Sequence, residues 1–133
     1  MDRTRRLRKN ENMRSLVREN SISVEQLIYP IFVTEEKNVK NPVASMPGIY
    51  QFSLECLIDE VKKAADLGIN ALLLFGIPEH KDETGSGAYA VDGIIPRAIK
   101  LIRKEYPDII RIADVCLGDY TAHGQCGLVR KGE

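Results

Sequence analysis

Apolar residues fall on one face of a helix between residues 53 and 68. Leu54, Leu57, Ile58, Val61, Ala64 and Ala65 follow helical spacing, which predicts an amphipathic helix. Ser53 stands before it as an N-cap, and Gly68 follows the last turn as the residue that ends it. Immediately afterwards comes INALLLFG, a continuous apolar run, which predicts a strand buried on both faces. A second helix is expected from Pro96, a first-turn residue, with Ile95, Ala98, Ile99, Ile102 and Tyr106 on its buried face and Pro107 stopping it. IIRIADVCL, 109 to 117, then reads as a strand.

The N-terminal half is less regular. Residues 1 to 20 read as a polar helix whose thin stripe (Leu7, Met13, Leu16, Val17) needs a partner surface. Ser23 can cap a short turn. Leu27 to Val33 is a β-rich run in which Pro30, having no N–H, is expected at a strand end or bulge. Residues 34 to 52 show no period, with turns marked by Pro42 and Pro47-Gly48. The stretch reads as a long connection of the kind that often carries function. The loop from 78 to 93 is polar and glycine-rich. Strands starting near 28, 70 and 109 and alternating with helices predict an α/β fold with a parallel sheet. The spacing of about forty residues is somewhat longer than the average of a (βα)₈ barrel, with loop insertions making up the difference. Three strands do not close a barrel, so the expectation is a small open sheet or a piece of something larger.

Composition narrows the class. Lys plus Arg and Asp plus Glu both number 19, and this balance argues against a general nucleic-acid surface. The basic start, RTRRLRK, reads as a solvated arm. No apolar run reaches the length of a membrane span, and no apolar segment of a secretory signal follows the basic start. Three cysteines, an odd number, suggest reduced thiols and a cytoplasmic protein.

In parallel α/β folds the working residues gather beyond the carboxyl ends of strands. That rule selects the loops after Val33 and Gly76, and the stretch DVCLGDYTAHGQCG. Asp114, expected inside the third strand, needs a partner or a function. Cys116 and Cys126 are soft metal donors, but two thiolates fall short of the three or four ligands of a zinc site. His123 is a possible third, or a packing residue. Cys56 reads as an ordinary small residue in a helix, and His80 as solvated. GSGAY lacks the dinucleotide pattern, and neither a P-loop nor H-E-x-x-H occurs.

LIYPIFV, SMPGIYQFS, AADLGINALLLFGIP, KDETGSGAY, GIIPRAIKLI and DVCLGDYTAHGQCGL occur in an order and spacing that resembles the N-terminal part of the porphobilinogen synthase (5-aminolevulinate dehydratase) family. The resemblance covers nearly the whole chain. It implies residues 1–22 as a helical arm that wraps a neighbouring subunit, and residues 23–133 as the first three βα units of a TIM barrel, incomplete in this chain. It implies a cytoplasmic lyase of haem and tetrapyrrole biosynthesis. Such an enzyme condenses two 5-aminolevulinate molecules to porphobilinogen and assembles as a homo-oligomer, commonly an octamer, with neither nucleic acid nor membrane as partner.

The resemblance also assigns roles at the end of the third strand. Zinc-dependent members hold the metal with three cysteines. The first matches Cys116, the third matches Cys126, and the middle one is Gly118 here. Gln125 stands where those members often have His, as it does in members without this zinc, so zinc is expected to bind weakly and magnesium is a second candidate. Asp119 is an adjacent oxygen donor, and Asp114 matches a polar group near the substrate amine and the metal. The two Schiff-base lysines of the family match positions beyond residue 133, so the isolated chain is expected to be inactive. The alternatives are a non-catalytic fragment that associates with intact subunits, and an unrelated small α/β protein.

Overall fold

The computed structural model describes residues 5–129. Helix α1 (Glu11–Leu16) follows a 3₁₀ turn at Arg6–Arg8. The strands are β1 (Ile28–Thr34), β2 (Lys40–Pro42), β3 (Tyr50–Phe52), β4 (Ala71–Ile77) and β5 (Ile110–Ala113). Helices α2 (Leu54–Asp66) and α3 (Ile94–Glu105) complete the order. The sheet runs β2-β3-β1-β4-β5. Strands β1, β3, β4 and β5 are parallel to their neighbours in that group, and β2 is antiparallel to β3.

The two long helices cover one face of this sheet. Leu57, Val61 and Ala64 of α2 and Ile94, Ile95, Ala98 and Ile102 of α3 pack with Ile31 and Val33 of β1 and with Leu72 and Leu74 of β4. Fully burying each of the leucine, isoleucine and valine side chains is worth about 1.5–3 kcal/mol, and each alanine less. Gly68 takes a left-handed φ of 82°, as the helix-ending glycine must. Arg111 donates to the carbonyls of Tyr106 and Pro107, satisfying groups left free where α3 ends.

Several expectations change. The run 71–77 alternates instead of being buried on both faces. Leu72, Leu74 and Gly76 are buried, while Ala71, Leu73, Phe75 and Ile77 are half-buried, because helices cover only one side of the sheet among the described residues. The N-terminal segment is not one helix of twenty residues. Residues 1–4 lie outside the described part, and α1 is a short exposed helix with Asn10 as its cap. Ser23 does cap a turn, in a reciprocal capping box with Gln26. Pro30 lies inside β1, not at its end. It is tolerated because β3 pairs only with Phe32 and Val33, leaving the outer edge of β1 open alongside Pro30. The connection from 34 to 52 contains the hairpin β2–β3, fastened by Ser53 N–H to Val39 O (3.0 Å) and Val39 N–H to Ser53 Oγ (3.2 Å). The last strand stops at Ala113, so Asp114 lies just past it.

Candidate functional site

Because β1, β4 and β5 are parallel, their carboxyl ends share one edge of the sheet, and the three following loops meet there. The loops after β1 and β4 are tied together first. Glu35 N–H donates to Ile77 O (3.2 Å), and the Glu35 carboxylate accepts from Glu79 N–H (2.8 Å). The loop after β4 then folds around Asp82. Its carboxylate accepts from the amides of Thr84 (2.8 Å) and Ser86 (3.1 Å) and from both hydroxyls, an Asx-type turn. These donors, the Ser86 hydroxyl foremost, hold the Asp82 carboxyl well below the usual carboxylate range.

The loop after β5 is anchored at both its base and its middle. Asp114 N–H donates to Leu74 O (3.1 Å), so Asp114 continues the row of Ile110 and Ile112 beyond the strand. Leu117 O accepts from the amides of Tyr120 (2.9 Å) and Thr121 (3.0 Å). The Tyr120 ring drops into the space that Gly76 leaves open: a Cβ on Gly76 would lie 2.0 Å from the phenol oxygen. Burial, aided by Asp119, Glu35 and Asp114, raises the Tyr120 phenol above its ordinary value. Thr121, 1% exposed, donates its hydroxyl to Gln125 O (3.0 Å).

This loop brings Cys116 and Cys126 together. Their sulfurs are 2.8 Å apart and both thiols are free. Sharing a hydrogen bond with Cys126, with the Asp114 carboxylate adding to the effect, pushes the Cys116 thiol up. Gly118 faces the same point. A Cβ there would lie 3.1 Å from Cys126 Sγ and 3.5 Å from Cys116 Sγ. A cleft of about 360 Å³ opens beside the pair, with Asp114, Cys116 and Tyr120 on one wall and Ile95 and Ile99 of α3 on the other.

The other expected donors do not join the pair. His123 Nδ1 accepts from Gln125 N–H (3.1 Å), and its Nε2 is buried without a hydrogen-bond partner among the described residues. No group of three potential ligands occurs among the described residues, so neither His123 nor Asp119 completes a set with the cysteines. Asp114 is half-buried and makes no salt bridge among the described residues. His80 is exposed and Cys56 is packed beside the core, both as expected. The sequence reading missed Asp82, Tyr120 and Thr121. The signal for Asp82 was available: Asp followed by Thr, Gly and Ser at offsets two, three and four favours an Asx turn.

The delta-aminolevulinic acid dehydratase family model matches residues 1–133. The delta-aminolevulinic acid dehydratase of Staphylococcus aureus is 51% identical over 128 residues, which span 96% of this chain and 40% of that protein. The crystal structure of the Toxoplasma gondii enzyme, in complex with its reaction product porphobilinogen, superposes with a TM-score of 0.90 at 40% identity. The match covers 98% of this chain and 38% of that one. This chain therefore spans about two-fifths of the length of the relatives it matches. The unrelated α/β alternative is ruled out, and the five-stranded α/β sheet fits part of a TIM barrel. The chain belongs to the delta-aminolevulinic acid dehydratase family.

Proposed function

We propose that this chain provides the arm (residues 1–22) and the first βα units (23–133) of a porphobilinogen synthase. That enzyme joins two 5-aminolevulinate molecules into porphobilinogen with loss of water. The observation that carries this reading is the convergence of Asp114, Cys116 and Cys126 at the carboxyl edge of the parallel sheet, in a chain of this family. In this reading the half-buried Asp114 carboxylate holds the amine of a substrate, and the cleft beside it excludes part of the solvent around that group.

The nucleophiles are a separate matter. A Schiff-base lysine needs a desolvated setting that lowers its pKa. Every lysine among the described residues is exposed. The 133 residues alone are therefore proposed to be inactive. The test is incubation with 5-aminolevulinate and borohydride, followed by mass spectrometry of the chain and of the full-length protein containing it. Turnover by the chain alone, or a specific adduct on one of its lysines, refutes the proposal.

The residues present do not fit a complete zinc centre. Two thiols are fewer than the roughly three protein ligands of catalytic zinc. They fit magnesium less, because that ion takes oxygen donors. What they offer is a depleted zinc loop, with weak binding through Cys116 and Cys126.

Assembly as a homo-oligomer, an octamer by resemblance, is supported by the apolar side chains displayed near the arm. Leu16 is 80% and Ile22 85% exposed, and Val24, Leu27 and Ile28 are exposed beside them. A cytoplasmic location is proposed from the free cysteines. No helix among the described residues is long and apolar enough to cross a membrane.

A further inference from the structure

We propose that Asp82 is a positioning residue for the cysteine pair: its side chain sets the turn 82–86, and its main chain fastens that turn to the loop carrying Cys116 and Cys126. The inference rests on reading 114–127 as the working loop of the family reaction.

The connection is continuous. Asp82 N–H donates to Tyr120 O (3.3 Å), and Asp82 O accepts from Ala122 N–H (2.8 Å). Together they form a short parallel bridge between Asp82 and Thr121. The apex of the turn also rests on the loop. Gly85 has a φ of 63°, and a Cβ there would lie 3.2 Å from Thr121 Cγ2 and 3.4 Å from Leu117 Cδ2.

The residues gripped in this way are the chain neighbours of the thiols. Leu117 follows Cys116, and its carbonyl holds the Tyr120 and Thr121 amides. Gln125 precedes Cys126, and its carbonyl is held by the Thr121 hydroxyl. Tyr120, seated against Gly76, fixes the middle of the loop, whereas the Asp82 bridge brackets the segment that sets the separation of its two ends. Loss of the carboxylate removes four hydrogen bonds from the turn and leaves the bridge on an unsupported loop.

The test reads the sulfurs directly. The full chain carrying Cys56→Ser is treated with dibromobimane, which fluoresces once it bridges two nearby thiols. Rapid bridging is expected in that background and none after Cys116→Ser. Asp82→Ala should lose most of that bridging rate while keeping its far-UV circular dichroism. Asp82→Asn should recover part of it, because the amide oxygen still accepts from the Thr84 and Ser86 amides.

Bridging by a folded Asp82→Ala chain at the parent rate overturns the proposal, as does a parent that does not bridge at all. If Asp82→Ala does not fold, Ser86→Ala removes one donor to the same carboxylate and spares the main-chain bridge. Slower bridging then supports the proposal and an unchanged rate overturns it. Product formation by the full-length protein is scored separately. Failure of the family reaction appears there as absent porphobilinogen, with the bridging pattern intact.

Discussion

Replacing Gly76 by alanine should dislodge the cysteine loop from the sheet. The added Cβ would lie 2.0 Å from Tyr120 Oη, 2.9 Å from Ile95 Cγ1 and 3.0 Å from Ile94 Cγ2. The two isoleucine contacts are with flexible side chains and can relax. The phenol is rigid, so the ring or the backbone must move. Overpacking of this kind costs about 1–3 kcal/mol. Complete expulsion of the ring sets an upper bound: an aromatic side chain burying ~150–250 Å² at ~25 cal/mol per Å² gives roughly 4–6 kcal/mol, less in a compact denatured state. A loss of about 2–4 kcal/mol is therefore expected, a large share of the ~5–15 kcal/mol that holds a typical domain. The assay is urea unfolding followed by circular dichroism for the parent, Gly76→Ala, Tyr120→Phe and the double variant. Tyr120→Phe deletes the colliding oxygen, so the double variant should recover about 0.5–3 kcal/mol relative to additivity. Strict additivity, or a Gly76→Ala chain within about 0.5 kcal/mol of the parent, would refute the collision.

Gly118→Cys should strengthen zinc binding in a chelator competition, since its Cβ points at both sulfurs, although the 3.1 Å approach to Cys126 Sγ requires that side chain to give slightly. Cys116→Ala and Cys126→Ala should each abolish whatever binding the parent shows, and an unchanged affinity in all three counts against a zinc loop. Tyr29 is pushed up to about 12, by burial first and by its hydrogen bond to Glu60 second, so its contribution to stability is complete below pH 10 and fades as the pH rises through about 12. In a tyrosinate absorbance titration Tyr29→Phe should therefore remove a late-ionising phenol; loss of an ordinary one instead would contradict the assignment. Borohydride treatment in the presence of 5-aminolevulinate should leave the mass of the 133-residue chain unchanged, because its described lysines are exposed, and a single-site adduct would overturn this.

The parts of the fold legible in the sequence are those with a long, one-sided period. Helix α2 carries its period and its terminal glycine in the chain itself, and it lies where they place it; Ser53 occupies the N-cap position, but its hydroxyl accepts from Val39 N–H and caps no helix amide. Helix α3 starts one residue before its expected first apolar position, with Pro96 in the first turn. Strands β2 and β3 were not legible. Three residues give no measurable alternation, and β2 contains Pro42, tolerated there because the strand lies at the sheet edge. β5 is shorter than the run IIRIADVCL predicts: β4 continues to Ile77, but the last register pair is Leu74 with Ala113, because the chain leaves the sheet after Asp114 and turns at Leu117. At the site, residue type singled out Asp114, Cys116 and Cys126, and the structure gathers them at one strand end. The joining of residues 82 and 121 is a tertiary pairing between distant loops, for which neither loop alone carries a period.

The bridge between Asp82 and Thr121 is built from main-chain atoms, so beyond the Asp82 carboxylate that supports its turn it depends on chain length. Surface loops ordinarily accept insertions at small entropic cost. Here an added or deleted residue within 78–82 or 114–120 would shift one partner out of phase with the other and carry Cys116 away from Cys126. The two loops thus have to be cut to length as a matched pair. Room for insertions lies elsewhere, for example in the exposed turn around Pro47 and Gly48, where a φ of 84° closes the β2–β3 hairpin without touching the site.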